Sequence, residues 1–444
     1  MNKTYTYITI SLIIAGCSSN GTVDYNNNIK DTIEKLNIEE MEVSSNKLVD
    51  LIDNNLLKNI IDLGLKKSPD MNNAELNLKI AQLNRNKEVG ENLPNVNSNF
   101  KSNKTEGNKV SYQTDVTVSW ELDLWNKISL ANKLSDQYLE YSNYEYENVK
   151  SILIADIIRN WTDLNLYNKY IKIEEEKLKS LEKSHQFVIQ RYSKGIGNLT
   201  DVDSIEKNIY TVKSNIEKYV YSKNESTRSL NVLIGSDDLS LYEVDDFNLI
   251  NVFYPLDYST KQNLQHRPDL KMAYKTIEMK DLSTRIAYKD MLPSFSLSAS
   301  LSDSASNPID SLLVSPIWNL LGQITMPLFN GSSLKNKAKI SEMETEQAYW
   351  TYQKTLLNAV KEVNDYTELE KSLSIRENYL EKSLKLSKTI EKRDGDKYSK
   401  GLINISDYLS SQRSVYDFEN QLATVKQERI KNRINLGLSL GLGA

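Results

Sequence analysis

"PSFSLSASLSD" spans Pro293–Asp303. Phe295, Leu297, Ala299 and Leu301 alternate with Ser294, Ser296, Ser298, Ser300 and Ser302. A period of two sends the apolar side chains to one face of a β-strand and the hydroxyls to the other. In the run Trp318–Leu328, Leu320, Ile324, Met326 and Leu328 share a face and supply a partner strand, so a hairpin is expected over 293–329. Earlier in the chain, "SYQTDVTVSWEL" (Ser111–Leu122) has the same texture. There Tyr112, Val116, Val118, Trp120 and Leu122 oppose Gln113, Asp115, Thr117, Ser119 and Glu121, within a second hairpin at 95–124.

Four strands of about ten residues are long enough to cross an outer membrane. The edge of a sandwich in a soluble domain is the alternative, but these strands stand between long helices with no second sheet to pack on. Four strands are too few to close a barrel. In lipid, an open edge leaves backbone groups unpaired at several kcal/mol each. A sheet of this kind implies association with further copies.

The two hairpins belong to a larger repetition. "KSPDM" (Lys67–Met71) matches "HRPDL" (His266–Leu270), and "LPNVNSNF" (Leu93–Phe100) matches "LPSFSLSA" (Leu292–Ala299), both at an offset of 199. "DLW" (Asp123–Trp125) falls opposite "PLF" (Pro327–Phe329) at 204. "RYSKGIGNLTD" (Arg191–Asp201) then matches "KYSKGLINISD" (Lys397–Asp407) at 206. Ordered landmarks at a slowly drifting offset mean a tandem duplication, far longer than a solenoid repeat. The expected division is a signal peptide at 1–16, an anchored segment at 17–45, a first repeat at 46–235, a linker at 236–262 and a second repeat at 263–444.

Between the strands the chain reads as helix. Leu48, Leu51, Ile52, Leu56, Ile60 and Ile61 step by three and four in the stretch 46–90, which Pro69 interrupts with Ser68 as a candidate cap. Lys127 to about Arg191 contains neither proline nor glycine, and Ser333 to about Lys392 repeats this. Some 65 helical residues make a rod of roughly 100 Å. Its apolar stripe is narrow, as in Tyr146, Val149, Leu153, Ile157, Trp161 and Leu164, or Leu356, Val360, Val363, Tyr366, Leu369 and Leu373. Such helices bury one seam and keep a broad wet face. The charged blocks 172–184 and 369–383 read as solvated surface.

The "YSKG" segments sit between an outgoing and a returning helix. Gly195 and Gly401 suit a left-handed helix end, Thr200 and Ser406 are candidate N-caps, and Asp201 and Asp407 fall in the first turn of the return helix. A plain helix–helix turn explains these residues but leaves the matching Tyr192 and Tyr398 unexplained.

The N-terminus "MNKTYTYITISLIIAGC" has one lysine, an apolar run from Ile8 to Ala15 and small residues before Cys17, the layout of a secretory signal peptide. Cys17 is the only cysteine of 444 residues, which excludes an internal disulfide. After the signal peptide no run of 18 apolar residues occurs. A net charge of −5 gives no electrostatic support to a nucleic-acid partner. The only histidines are His185, on a charged helix, and His266; no serine elbow, phosphate loop or metal-ligand cluster accompanies them, so no enzyme is expected.

"IAGC" (Ile14–Cys17) resembles a bacterial lipobox. Together with the duplication, the "RPD" triplet, the Leu-Pro-led strands and the paired "Y-x-x-G…D" tips, it makes the chain resemble the TolC-like outer-membrane efflux proteins of the lipoprotein (NodT-type) branch. Each motif alone is weak; their doubled order is specific, and it covers nearly the whole mature chain.

The resemblance implies an α+β membrane protein. Duplicated helical hairpins form a coiled-coil-like tunnel, and four strands per chain contribute to a trimeric twelve-stranded β-barrel. It implies no cofactor beyond a diacylglycerol and an N-acyl (palmitate) chain on Cys17, with Ser18 favouring the outer membrane. It implies a homotrimer in outer-membrane lipid that works with a periplasmic adaptor and an inner-membrane pump of the RND type. Drugs or other small solutes would pass out through it. By the same resemblance Asp201 and Asp407 are gate acids that would favour cations. Tyr398 matches a tyrosine that bonds across to the acid at the Asp201 position, Tyr192 is its counterpart, and Gly195 and Gly401 form the tip turns.

Two departures stand out. Ser204 and Ser410 occupy positions where a second acid often follows, and Ile403 stands where some relatives place an arginine. A type I protein-secretion duct is the alternative within the class. A periplasmic coiled-coil adaptor lipoprotein is the alternative outside it, one that would need no strands with an apolar side.

Overall fold

The computed structural model describes residues 29, 47–107, 109–236, 252–254 and 264–443. The expected signal peptide with Cys17, nearly all of 17–45 and most of the 236–262 linker lie outside the described residues.

The order is α1 (Asn55–Lys67), α2 (Pro69–Gly90), β1 (Asn95–Asn103), β2 (Ser111–Leu122), α3 (Lys127–Ser193) and α4 (Leu199–Ile234), then α5 (Pro268–Lys289), β3 (Ser294–Ala305), β4 (Ile317–Thr325), α6 (Ser333–Ser399) and α7 (Ile405–Ser439). The duplication is visible in the lengths. α3 and α6 are both 67 residues long, about 100 Å each. α2 and α5 are both 22 residues. Each long helix packs along its own return helix, α3 on α4 and α6 on α7, and α3 also touches α5 and α7, which joins the halves.

The opening helix is shorter than its periodicity suggests. Leu48–Leu51 form a 3-10 turn, Ile52 pairs with Val252 in an isolated bridge, and α1 begins only after Asn54, whose side chain accepts from Leu57 N at 2.9 Å. Consequently Leu57 is buried and Leu56 is exposed. Ser68 stands at the cap position of α2 but makes no capping bond, and its buried hydroxyl has no partner.

In α6 the apolar stripe fails at one step. Leu369 is 43% exposed while Glu370 is 6% exposed. Arg429 and Arg433 of α7 both donate to Glu370 Oε1, at 2.8 and 2.9 Å, so the carboxylate goes inside with its counter-ions. α6 also runs on to Ser399, past Gly395. A Cβ at Gly395 would lie 3.2 Å from the ring of Tyr408, so the missing side chain makes room for that ring.

The halves are fastened near their starts. Arg267 is buried and donates to Asp269, to Glu362 of α6 and to the carbonyl of Ser439 of α7, at 2.8–3.0 Å. Burial disfavours its charge, but hydrogen bonds and charges of Asp269 and Glu362 outweigh this and raise its pKa. The "RPD" arginine is thus a clasp between three helices. In the first half Ser68 occupies that position; the glycine that follows the return helix packs alike in both halves, since a Cβ at Gly235 would meet the Lys67 carbonyl oxygen at 2.4 Å and one at Gly441 would meet Arg267 N at 2.9 Å.

Candidate functional site

The four strands form one antiparallel sheet in the order β1-β2-β3-β4, so the two hairpins join through β2 and β3. Register places Val116, Val118, Trp120 and Leu122 opposite Leu301, Ala299, Leu297 and Phe295. It places Trp318, Leu320 and Ile324 opposite Leu301, Ala299 and Phe295. Val96 faces Val118 on the same side. One face of the sheet therefore carries apolar side chains on all four strands, with Ser98 and Ser102 among them on β1. The other carries Asn95, Asn97, Asn99 and Lys101, then Gln113, Asp115, Thr117, Ser119 and Glu121, and then the serines of β3. Ile317 and Leu321 are the exceptions on β4.

Aromatic rings gather at both ends of the apolar face. Phe100 stacks on Tyr112 at one end, with Trp318 on the same side. At the other, Trp120 Nε1 donates to the Asn92 carbonyl at 2.9 Å and Trp125 Nε1 to that of Pro293 at 2.6 Å. Amphipathic rings at two levels with aliphatic side chains between them are the pattern of a strand set that crosses a bilayer. No helix among the described residues is long and apolar enough to do so. Every residue of β1 and of β4 is exposed, so both edges of the sheet are open. β4 ends at Thr325, and Met326 and Leu328, expected within the strand, follow it exposed.

Where the sheet gives way to the long helices, Asn126 and Ser332 precede α3 and α6 with left-handed φ of 58° and 67°. Asp123 carboxylate oxygens accept from Ile128 N and Ser129 N at 3.0 and 2.8 Å, capping α3. Asp290, at the end of α5, meets Lys127 and Lys337, each at 2.7 Å. Burial raises its carboxyl pKa, but hydrogen bonds and charges of the two lysines hold it below the ordinary value.

The tips lie at the far ends of the helices. Gly195 and Gly401 have φ of 73° and 70°. In both tips the amide after the glycine reaches back five residues (Ile196 to Arg191, Leu402 to Lys397) and the glycine amide bonds to Tyr192 or Tyr398, at 2.9–3.0 Å. This is a Schellman closure, made twice. The caps of the return helices are Asn198 and Asn404, not Thr200 and Ser406. Their side chains accept from Thr200 N at 3.0 Å and Asp407 N at 2.8 Å. Both asparagines are shared between the repeats, and that was the available signal for them.

The matching tyrosines are placed differently. Tyr398 is half-buried, stacked on Tyr408 at 5.6 Å and edge-on to Phe187 at 5.8 Å. It thereby ties α6 to α3 of the other half, beside a shared core of Leu181, Val188, Ile205, Ile209, Ile405 and Leu409. Burial raises the Tyr398 pKa, Arg191 lowers it and the charge of Asp201 raises it. No hydrogen bond joins the two. Tyr192 is 46% exposed. Asp201 is partly exposed and Asp407 exposed. Phe187, Tyr408 and Gln412 were not foreseen: Tyr408 accepts from Gln412 at 2.8 Å and donates to Glu391 at 3.3 Å. Burial and Glu391 push the Tyr408 pKa up to about 12. Just behind the tips, a cleft of about 330 Å³ opens between α3, α4 and α7, with Lys177, Lys207 and Arg413 in its wall. Among the described residues no cluster could hold a metal ion.

Comparison with known proteins agrees with this geometry. The chain is 26% identical over 340 residues to the probable outer membrane lipoprotein SilC of Salmonella typhimurium, covering 75% of this chain and 72% of that one. It is 24% identical over 427 residues to the cation efflux system protein CusC of Escherichia coli K12, covering 91% and 93%. In structure it superposes on the Campylobacter jejuni CmeC outer membrane channel with a TM-score of 0.81 at 19% identity, over 90% of this chain and 89% of that one. The outer membrane efflux protein family matches residues 60–236 and 260–442, one stretch in each repeat, and the chain belongs to that family.

Proposed function

We propose that three copies of this outer-membrane efflux protein close their sheets edge to edge, β4 of one on β1 of the next, into a barrel with the polar faces turned inward. The α3/α4 and α6/α7 hairpins continue it as a tunnel into the periplasm. The carrying observation is the amphipathic sheet, whose two open edges no other described part of the chain covers. Closure removes both edges, as lipid demands. The tunnel serves as the exit duct of a tripartite efflux system, and it conducts drugs or other small solutes passively. Metal cations are one class to test, given the name of CusC. A lipid on Cys17 would add an anchor to the barrel.

At the tips, Asp201 and Asp407 face a narrow axis and Tyr398 holds the second hairpin against the first. The cationic cleft by the tips suits acidic side chains of a periplasmic adaptor. With Ile403 and Ser410 in place of charged partners, aromatic stacking through Phe187, Tyr398 and Tyr408 carries the closing contact. The test is membrane fractionation with gels of heated and unheated samples. Outer-membrane recovery and a heat-sensitive slow-migrating species support the reading; a monomer found only in soluble periplasm refutes it.

A further inference from the structure

Residues 306–316 join β3 to β4, and they do not stand clear of the sheet. Asp303 and Thr114 oppose each other across β3 and β2, on the face that carries Leu297, Leu301, Val116 and Val118. Both are buried. The Ser315 backbone N–H donates to Asp303 Oδ2 at 3.0 Å, and Ser311 has no exposed surface. At the same level of the polar face, Gln113 and Ser304 are exposed. The loop thus folds over the end of the apolar face and leaves the polar face open.

Having folded there, it turns apolar side chains outward. Ile309, Leu312 and Val314 are 69%, 59% and 68% exposed, and Leu313 between them is held at a φ of 61°. Hairpin closure does not require this. The equivalent connection of the first repeat, residues 104–110, reads "KTEGNKV", with three charged residues; in 306–316 Asp310 is the sole ionisable side chain.

The height is informative. Eight residues separate Phe295 from Asp303. That is about 27 Å of strand, or about 20 Å of height at a tilt near 40°, against an apolar band of about 25 Å in outer-membrane barrels. Asp303 therefore falls just inside the outer boundary, where an outward carboxylate needs cover and a donor. The loop supplies both. It lies over the middle strands, away from the β1 and β4 edges where another copy would join.

We infer that residues 306–316 are an interfacial flap seated on the outer leaflet of the outer membrane, with Ile309, Leu312 and Val314 among the lipid acyl chains. This rests on the apolar face of the sheet being lipid-facing, so the test contains a control for that reading. Bimane is attached to Leu312→Cys, Ile309→Cys, Glu106→Cys or Leu320→Cys in the full chain, reconstituted into vesicles of brominated phosphatidylcholine. The unsubstituted protein sets the background. The expected result is that positions 309, 312 and 320 lose about half their fluorescence to bromolipid, while position 106 loses none and is quenched by aqueous iodide. Quenching at 320 but not at 309 and 312 overturns the flap and leaves the channel standing. If 309 and 312 resist iodide as well, the loop is covered by protein, and the inference fails in favour of a contact with a second copy. No bromolipid quenching at 320 overturns the lipid-facing sheet and the flap with it.

Discussion

Asn198 and Asn404 show what a repeated sequence reveals about single residues and what it conceals. The eleven-residue match contains an Asn, a Thr or Ser two residues on, and then an Asp, and any of these three could cap a helix. The chosen one depends on where the backbone leaves the glycine, which spacing alone does not state. Asn404→Ala should weaken the second tip by about 1 kcal/mol, read as faster amide exchange at Ile405–Tyr408, whereas Ser406→Ala should leave it unchanged. Gly197 is a second such residue. A Cβ there would come within 2.7 Å of Tyr192 N, yet its counterpart is Ile403, so the two turns differ in path. Asp407→Ala is expected to raise single-channel conductance or relieve block by divalent cations in planar bilayers; unchanged conductance and block would remove Asp407 from the gate.

Among the elements, the strands and long helices were legible because each has one dominant period. What stayed hidden was tertiary in origin. Leu369 fits the apolar stripe of α6, but Arg429 and Arg433 lie on the facing helix 59 residues or more away in sequence, and only the fold brings them to Glu370. Glu370→Ala should cost about 2 kcal/mol, since it removes the acceptor shared by two partly buried guanidinium groups, although Arg429 keeps Glu377 and Arg433 keeps the Val252 carbonyl; thermal unfolding in detergent followed by helical circular dichroism measures it. Asp290 gives a pH-dependent element at the base of the long helices. Its folded pKa lies below the unfolded value, so its contribution is present above that value, near 3.9, and fades as pH falls through the folded pKa. Asp290→Asn should therefore flatten the acid limb of a stability-against-pH curve and lower the plateau at neutral pH.

For the molecule as a whole, the duplication foretold nearly everything about shape. Two 67-residue helices, two Schellman tips and two hairpins recur in register. The halves differ where they meet: Arg267 clasps the second repeat while Ser68 stands unpaired in the first, and Tyr398 is packed while Tyr192 is exposed. A repeat that must contact a different neighbour on each side cannot keep both copies identical, and one chain's sequence does not mark which neighbour is its own. The open sheet carries the same lesson, because in the proposed trimer its missing partners belong to other copies. The mass of the detergent-extracted complex by native mass spectrometry addresses this most directly. Three chains, with amide exchange in 95–103 and 317–325 as slow as in 294–305, is the result this architecture predicts. A single chain whose β1 and β4 amides exchange freely would contradict it.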